Sequence, residues 1–177
     1  MSQAEIAAGR VTLPGEMPAK GRRFPDFELT AASGHQIRLS DYRGRSSLVL
    51  VFADDQRIMA DLLIEMARLY ERFKEEESEI IVVEQCARDE CARIKEQLKL
   101  PFLMLSDGDG HIHREVGASN ERGRTAAAVY VTDRYGEVFA VYRTSDGQKL
   151  PRASDLLEWL EFVNSQCPEC EPPEWPA

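Results

Sequence analysis

No stretch of this 177-residue chain approaches the roughly eighteen consecutive apolar residues that a membrane-spanning helix needs. Met1 to Lys20 also lacks an apolar middle, alternating small, charged and proline residues where a secretory signal would be hydrophobic. The expected location is therefore the cytoplasm, with no membrane partner. Positive charge is in deficit: 22 Lys and Arg stand against 31 Asp and Glu, a net charge of -9. Such a chain repels phosphate backbones and anionic bilayers, so nucleic acid is not an expected partner. Cysteine is sparse, with four residues at two close spacings, Cys86 with Cys91 and Cys167 with Cys170. That is not the pattern of a secreted disulfide scaffold; in a reducing compartment it reads as free thiols, redox-active thiols or metal ligands.

With 43% hydrophobic residues the chain can bury one sizeable core, and it is too short for two domains of ordinary size. Residues 1–22 carry Gly9, Pro14, Gly15 and Pro18 with little periodicity and read as an N-terminal arm. The folded unit is expected over residues 23–164, followed by a proline-rich tail over 165–177. Phe24 to Leu29 and Gln36 to Leu39 alternate apolar and polar residues about Gly34, which predicts a β-hairpin. A short helical turn at Ser40 to Gly44 follows. Leu48 to Phe52 is continuously apolar, the mark of a strand covered on both faces. One helix is predicted from Arg57 to Phe73, and Ile80 to Val83 is a second buried strand. Strand, helix and strand in that order imply a right-handed crossover with parallel strands. Further elements are predicted at Ala87 to Leu98 (helix), Phe102 to Leu105 (strand) and His111 to Val116 (short helix). A hairpin is expected about Asp133 to Gly136, and a last helix capped by Ser154. The fold class is α/β.

The segments Phe24-Pro-Asp-Phe-Glu-Leu29, Leu39-Ser-Asp-Tyr-Arg-Gly-Arg45 before Leu48 to Phe52, Leu100 to Asp107 and Val129 to Gly136 resemble the alkyl hydroperoxide reductase and thiol-specific antioxidant family. The resemblance implies a thioredoxin-like fold: a central mixed β-sheet flanked by helices, with an N-terminal β-hairpin extension. It also implies a reactive cysteine just after the central strand, where the start of the next helix stabilises a thiolate. Here that stretch reads Ala53-Asp-Asp-Gln-Arg-Ile-Met-Ala60 and contains no cysteine. Asp54, Asp55, Gln56 and Arg57 therefore mark a degenerate active-site segment, since a carboxylate cannot carry out thiol exchange. Family peroxidases also place an arginine at the start of a later strand. Ala127 stands near that position here, and Arg124 is displaced toward the preceding loop.

Three cysteines remain as catalytic candidates. Cys86 follows a parallel strand directly, so it should emerge at the same sheet edge as residues 53–60. It reads either as an ordinary thiol or as a displaced redox centre paired with Cys91. Cys91 shares a helix face with Ile94 and Leu98 and reads first as core filler. Cys167-Pro-Glu-Cys170 has the spacing of a redox pair but follows a helix instead of opening one. The topology places it opposite Cys86, so the four cysteines are not expected to share a zinc ion. A labile disulfide, a half-site for metal across a dimer, an exposed peptide for a partner and an inert tail are its open readings. His35 reads as an exposed turn residue. His111 and His113 beside Asp107 and Asp109 read as a plain loop rather than a metal site. No metal and no cofactor are expected.

The leading expectation is a peroxiredoxin-like protein without the family's standard thiol chemistry, serving as a binding or redox-regulatory module. The alternative is a thiol-disulfide oxidoreductase or antioxidant protein acting through Cys167 and Cys170, or through Cys86. A thiol or disulfide protein partner and a homodimer are the partners these readings imply.

Overall fold

The computed structural model describes residues 17–53, 56–119, 127–144 and 149–166. Seven strands form one sheet in the order β2-β1-β5-β4-β3-β6-β7. The strands are β1 (Glu28–Ala31), β2 (Gln36–Arg38), β3 (Ser47–Ala53), β4 (Ser78–Glu84), β5 (Leu103–Ser106), β6 (Ala128–Thr132) and β7 (Val138–Arg143). The helices are α1 (Gln56–Arg68), α2 (Tyr70–Glu75), α3 (Arg88–Gln97), α4 (His111–Glu115) and α5 (Ala153–Ser165).

The expected parallel pairing across the intervening helices is present. β3 and β4 pair in parallel from Ser47 opposite Ser78 to Ala53 opposite Glu84, and β5 continues the parallel set beside β4. β6 and β7 close one side as an antiparallel hairpin, and β1 with β2 close the other. Because side chains alternate across a strand, β3 divides its residues between two cores. Val49, Val51 and Ala53 face the layer of α1, α2, α3 and α5, together with Ile80, Val82 and Phe102. Leu48, Leu50 and Phe52 face the hairpin side with Phe24, Phe27, Ile112 and Tyr130. Both faces of β3 are covered, as its unbroken apolar run requires.

Two local expectations are corrected. The helix predicted from Arg57 to Phe73 is broken at Leu69, whose φ of −100° and ψ of 11° leave the helical region. The break lets Phe73 enter the core fully while Tyr70 meets Phe102 at a ring separation of 6.0 Å. The N-terminus of α5 is not capped by Ser154. Its Ncap residue is Arg152, whose N–H donates to Asp155 at 2.9 Å, and Glu65 of α1 accepts the Ala153 N–H at 2.9 Å. A carboxylate from a packed neighbour satisfies the free amide, which chain-local reasoning cannot see. Of the N-terminal arm, the described part lies along β7. Gly21 N–H donates to Val138 O at 2.8 Å, and the Arg143 guanidinium donates to Pro18 O at 2.6 Å.

The hairpin-side core converges on Phe52, whose ring lies 6.1 Å from Phe24, 5.9 Å from Tyr130 and 5.4 Å from the His113 ring. Truncation of Phe52 to alanine should cost about 3–5 kcal/mol of stability. The denaturant midpoint at unchanged slope is the measurement.

Candidate functional site at the carboxyl edge of the parallel strands

Parallel strands end on one side, and three of them deliver the chemistry to one edge. The Gln85 N–H donates to Ala53 O at 3.1 Å, so the chain leaving β4 stays attached to the end of β3. The Asp107 N–H donates to Glu84 O at 2.9 Å, and the Ser106 hydroxyl donates to Cys86 O at 2.6 Å, joining the end of β5 to the same turn. Cys86 is thereby fixed beside the end of β3. Glu84, only 2% exposed, lies at this edge as well.

Cys86 is joined to Cys91 in a disulfide, their Cα atoms 6.2 Å apart, a span a disulfide bridges without moving the backbone. The bridge runs from the β4 turn into the second turn of α3, across the helix start at Ala87. Cys86 is half-buried, whereas Cys91 is fully buried and packs with Ile94 and Phe102. Cys91 thus belongs to the core and to the bridge together. Its Sγ lies 3.9 Å from Cys86 O and 3.8 Å from Leu105 O.

The histidine loop differs from the plain loop expected of it. His35 is exposed, as expected, and so is His111, but His113 is fully buried. His113 Nδ1 lies 2.6 Å from the Asp107 carboxylate, and Nε2 lies 3.2 Å from the carbonyl of Ala53. The ring thus has a hydrogen-bond partner at each nitrogen. The Ala53 carbonyl, with two lone pairs, takes Gln85 N–H and the His113 ring together. Asp107 also accepts the His113 backbone N–H at 2.9 Å. Burial pushes the Asp107 carboxyl up, but the His113 ring and the backbone amides outweigh it and leave the pKa lowered. Sequence reasoning had placed both residues in one loop without finding this pair. The available signal was an aspartate four residues ahead of a short helix, close enough in sequence for its carboxylate to bind the free amides of the first turn.

Asp107, Asp109 and His111 bring one ligand atom each within 4.8 Å of one another. Hydrogen bonds inside the group account for that gathering, His111 Nδ1 lying 2.7 Å from Asp109 and 3.3 Å from Asp107. Of the other residues singled out from the sequence, Gln56 opens α1 and Arg57 follows it. Asp54, Asp55, Arg124, Cys167 and Cys170 lie outside the described residues. The end of α5 is described: Asn164 accepts from the Ser47 hydroxyl at 3.0 Å, at the start of β3. The described end of α5 thus lies at the end of β3 opposite Cys86, on the order of 20 Å away along seven strand residues.

A depressed carboxylate pKa contributes stability above its unfolded value, lost as pH falls through the folded value. Below about pH 4 the wild type should therefore lose stability more steeply than Asp107→Asn. At neutral pH the variant should be less stable by about 1–3 kcal/mol, because His113 loses its carboxylate. Denaturant titrations across pH check both expectations.

Comparison with known proteins agrees with this architecture. The AhpC/TSA family model matches residues 20–141. A peroxiredoxin of Hyperthermus butylicus is 28% identical over 93% of this chain and 75% of its own length. A peroxiredoxin of Nanoarchaeum equitans is 28% identical over 84% of this chain and 72% of its own. Among solved structures, the peroxidoxin BcpB of Mycobacterium tuberculosis superposes with a TM-score of 0.73 at 21% identity, covering 83% of this chain and 98% of that one. The thioredoxin-like arrangement of a mixed sheet between helices, and a family match spanning most of the described fold, establish that this chain belongs to the AhpC/TSA family.

Proposed function

We propose that the chain is a redox-regulatory module of this family whose switch is the Cys86–Cys91 pair, in place of the family's thiol at the start of the first long helix. One observation carries the reading: the two sulfurs are bridged at the edge where β3 ends, and residues 53–60 supply no cysteine there. Reduction by a protein dithiol proceeds by thiolate attack on Cys86, the more exposed sulfur. The Cys86–Cys91 bond breaks, Cys91 leaves and takes a proton, and a mixed disulfide forms at Cys86. The partner's second thiolate then releases the Cys86 thiolate, which is protonated in turn. Two electrons and two protons have moved to the pair, and the partner ends as a disulfide. A cytoplasmic location fits a pair that is reduced at rest and oxidised under stress. The alternative through Cys167 and Cys170 rests on their spacing alone, since both lie outside the described residues.

A homodimer is the assembly this reading includes. Its support is the half-exposed Phe162, in ring contact with Trp159 and Phe139 beside the outermost strand β7.

Acid-quenched, alkylated protein should carry a Cys86–Cys91 cross-link after mild oxidation and free thiols after reduction, with peptide mapping as the readout. Permanently free thiols at both positions would contradict the reading. So would hydrogen peroxide turnover with a thiol reductant at an enzymatic rate abolished by Cys86→Ser, which would make the chain a peroxidase. In sedimentation, Phe162→Asp should lower the oligomeric mass; an unchanged mass removes this face from the assembly.

A further inference from the structure

Between the turn joining β1 to β2 and the outer side of α3 lies a cleft of about 400 Å³, within the range of small-molecule sites. Its surface is mainly apolar, with Ala92 of α3 facing Leu103 and Met104 of β5. The rim is charged. Lys95 and Lys99, four residues apart in sequence, stand against a single carboxylate, Glu96. Lys95 is half-buried, its pKa lowered by burial, and its Nζ donates to Phe102 O at 2.6 Å. An ammonium has three N–H groups, so two remain for a ligand. Lys99 adopts φ +52° just past the end of α3, a left-handed position that favours glycine. A lysine held there works against backbone preference and sets a cation on the rim.

We infer that this cleft binds a small anionic amphiphile, an apolar chain headed by a carboxylate, and that the Cys86–Cys91 bridge controls its affinity. The second half rests on the redox reading above. α3 has ten residues and fully buries only two side chains, Cys91 and Ile94. One of its two anchors is thus the bridged cysteine, and Ala92, the next residue, lines the cleft. An isolated helix of this length is marginal in water. The bridge fixes the first turns of α3 against β4. At the other wall, the Arg88 guanidinium lies close to Gly34 of the hairpin turn, 3.6 Å from where a Cβ would stand. Opening the bridge loosens α3, and the cleft loses a fixed wall.

The experiment titrates decanoate calorimetrically into the full chain, oxidised or reduced with dithiothreitol. Saturable binding to the oxidised form is expected, weakened about tenfold by reduction or by the double substitution Cys86→Ser with Cys91→Ser. Lys99→Gly should weaken binding about tenfold while raising the thermal midpoint, since it relieves the left-handed lysine as it removes the charge. Ala92→Trp should abolish binding by filling the cleft. Absence of saturable binding to protein whose cross-link is verified by mass would overturn the cleft and leave the redox reading standing. Equal affinity in both redox states would overturn the control. Failure of the cross-link to form would remove the redox reading, whatever decanoate does. Binding indifferent to both Lys99→Gly and Ala92→Trp would place the ligand elsewhere and refute the inference.

Discussion

The parallel pairing of β3 with β4, seven residues in unbroken register, is the constraint on which the site depends. Both strands point the same way, so their carboxyl ends share one edge with β5, and each chain turns there under restraint from its neighbour. Ala53 is held by the Gln85 amide and the His113 ring, and Cys86 by the Ser106 hydroxyl. The burial that makes this pairing strong is two-sided. Val49 and Val51 pack under the helices while Leu50 and Phe52 pack against the hairpin side, so a slip of one residue would exchange two entire cores.

On that rigid edge the disulfide acts locally. It closes a short loop, and the chain-entropy model gives such a loop about 2 kcal/mol of stabilisation. That is small beside the sheet's burial, but it is large relative to α3, which has few fully buried side chains of its own. A redox change at Cys86 and Cys91 therefore has a soft element to act on and a stiff one to act against. Such pairing suits a switch, because stability is not uniform across a fold and movable elements come from its weaker end.

The sheet was legible because its signals are local and periodic. Leu48 to Phe52 and Ile80 to Val83 announce buried strands, and the helix between them fixes their parallel sense. The two hairpins followed from Gly34 and from Asp133 to Gly136, where Gly34 and Gly136 take positive φ in the structure. What was not legible depends on groups brought together by tertiary packing. Leu69 interrupts a helical pattern that contains no proline or glycine at the break, for the sake of Phe73 and Tyr70. Glu65 caps α5 from 88 residues away in sequence. His113 gave no periodic signal in so short a helix, and only the fold brings its ring onto Ala53. Cys91 read in the sequence either as a core residue or as a partner for Cys86, and the structure joins the two readings, since the same buried face that accepts a small apolar side chain also points it at Cys86.

The central claim is that the Cys86–Cys91 bridge governs the order of α3 while the sheet edge beneath it stays fixed. Amide hydrogen exchange of the oxidised and reduced full chain, resolved by residue, tests this most directly. The account predicts that protection across Cys91 to Lys95 falls on reduction while that of β3 and β4 is unchanged. Equal protection of α3 in the two states would contradict it.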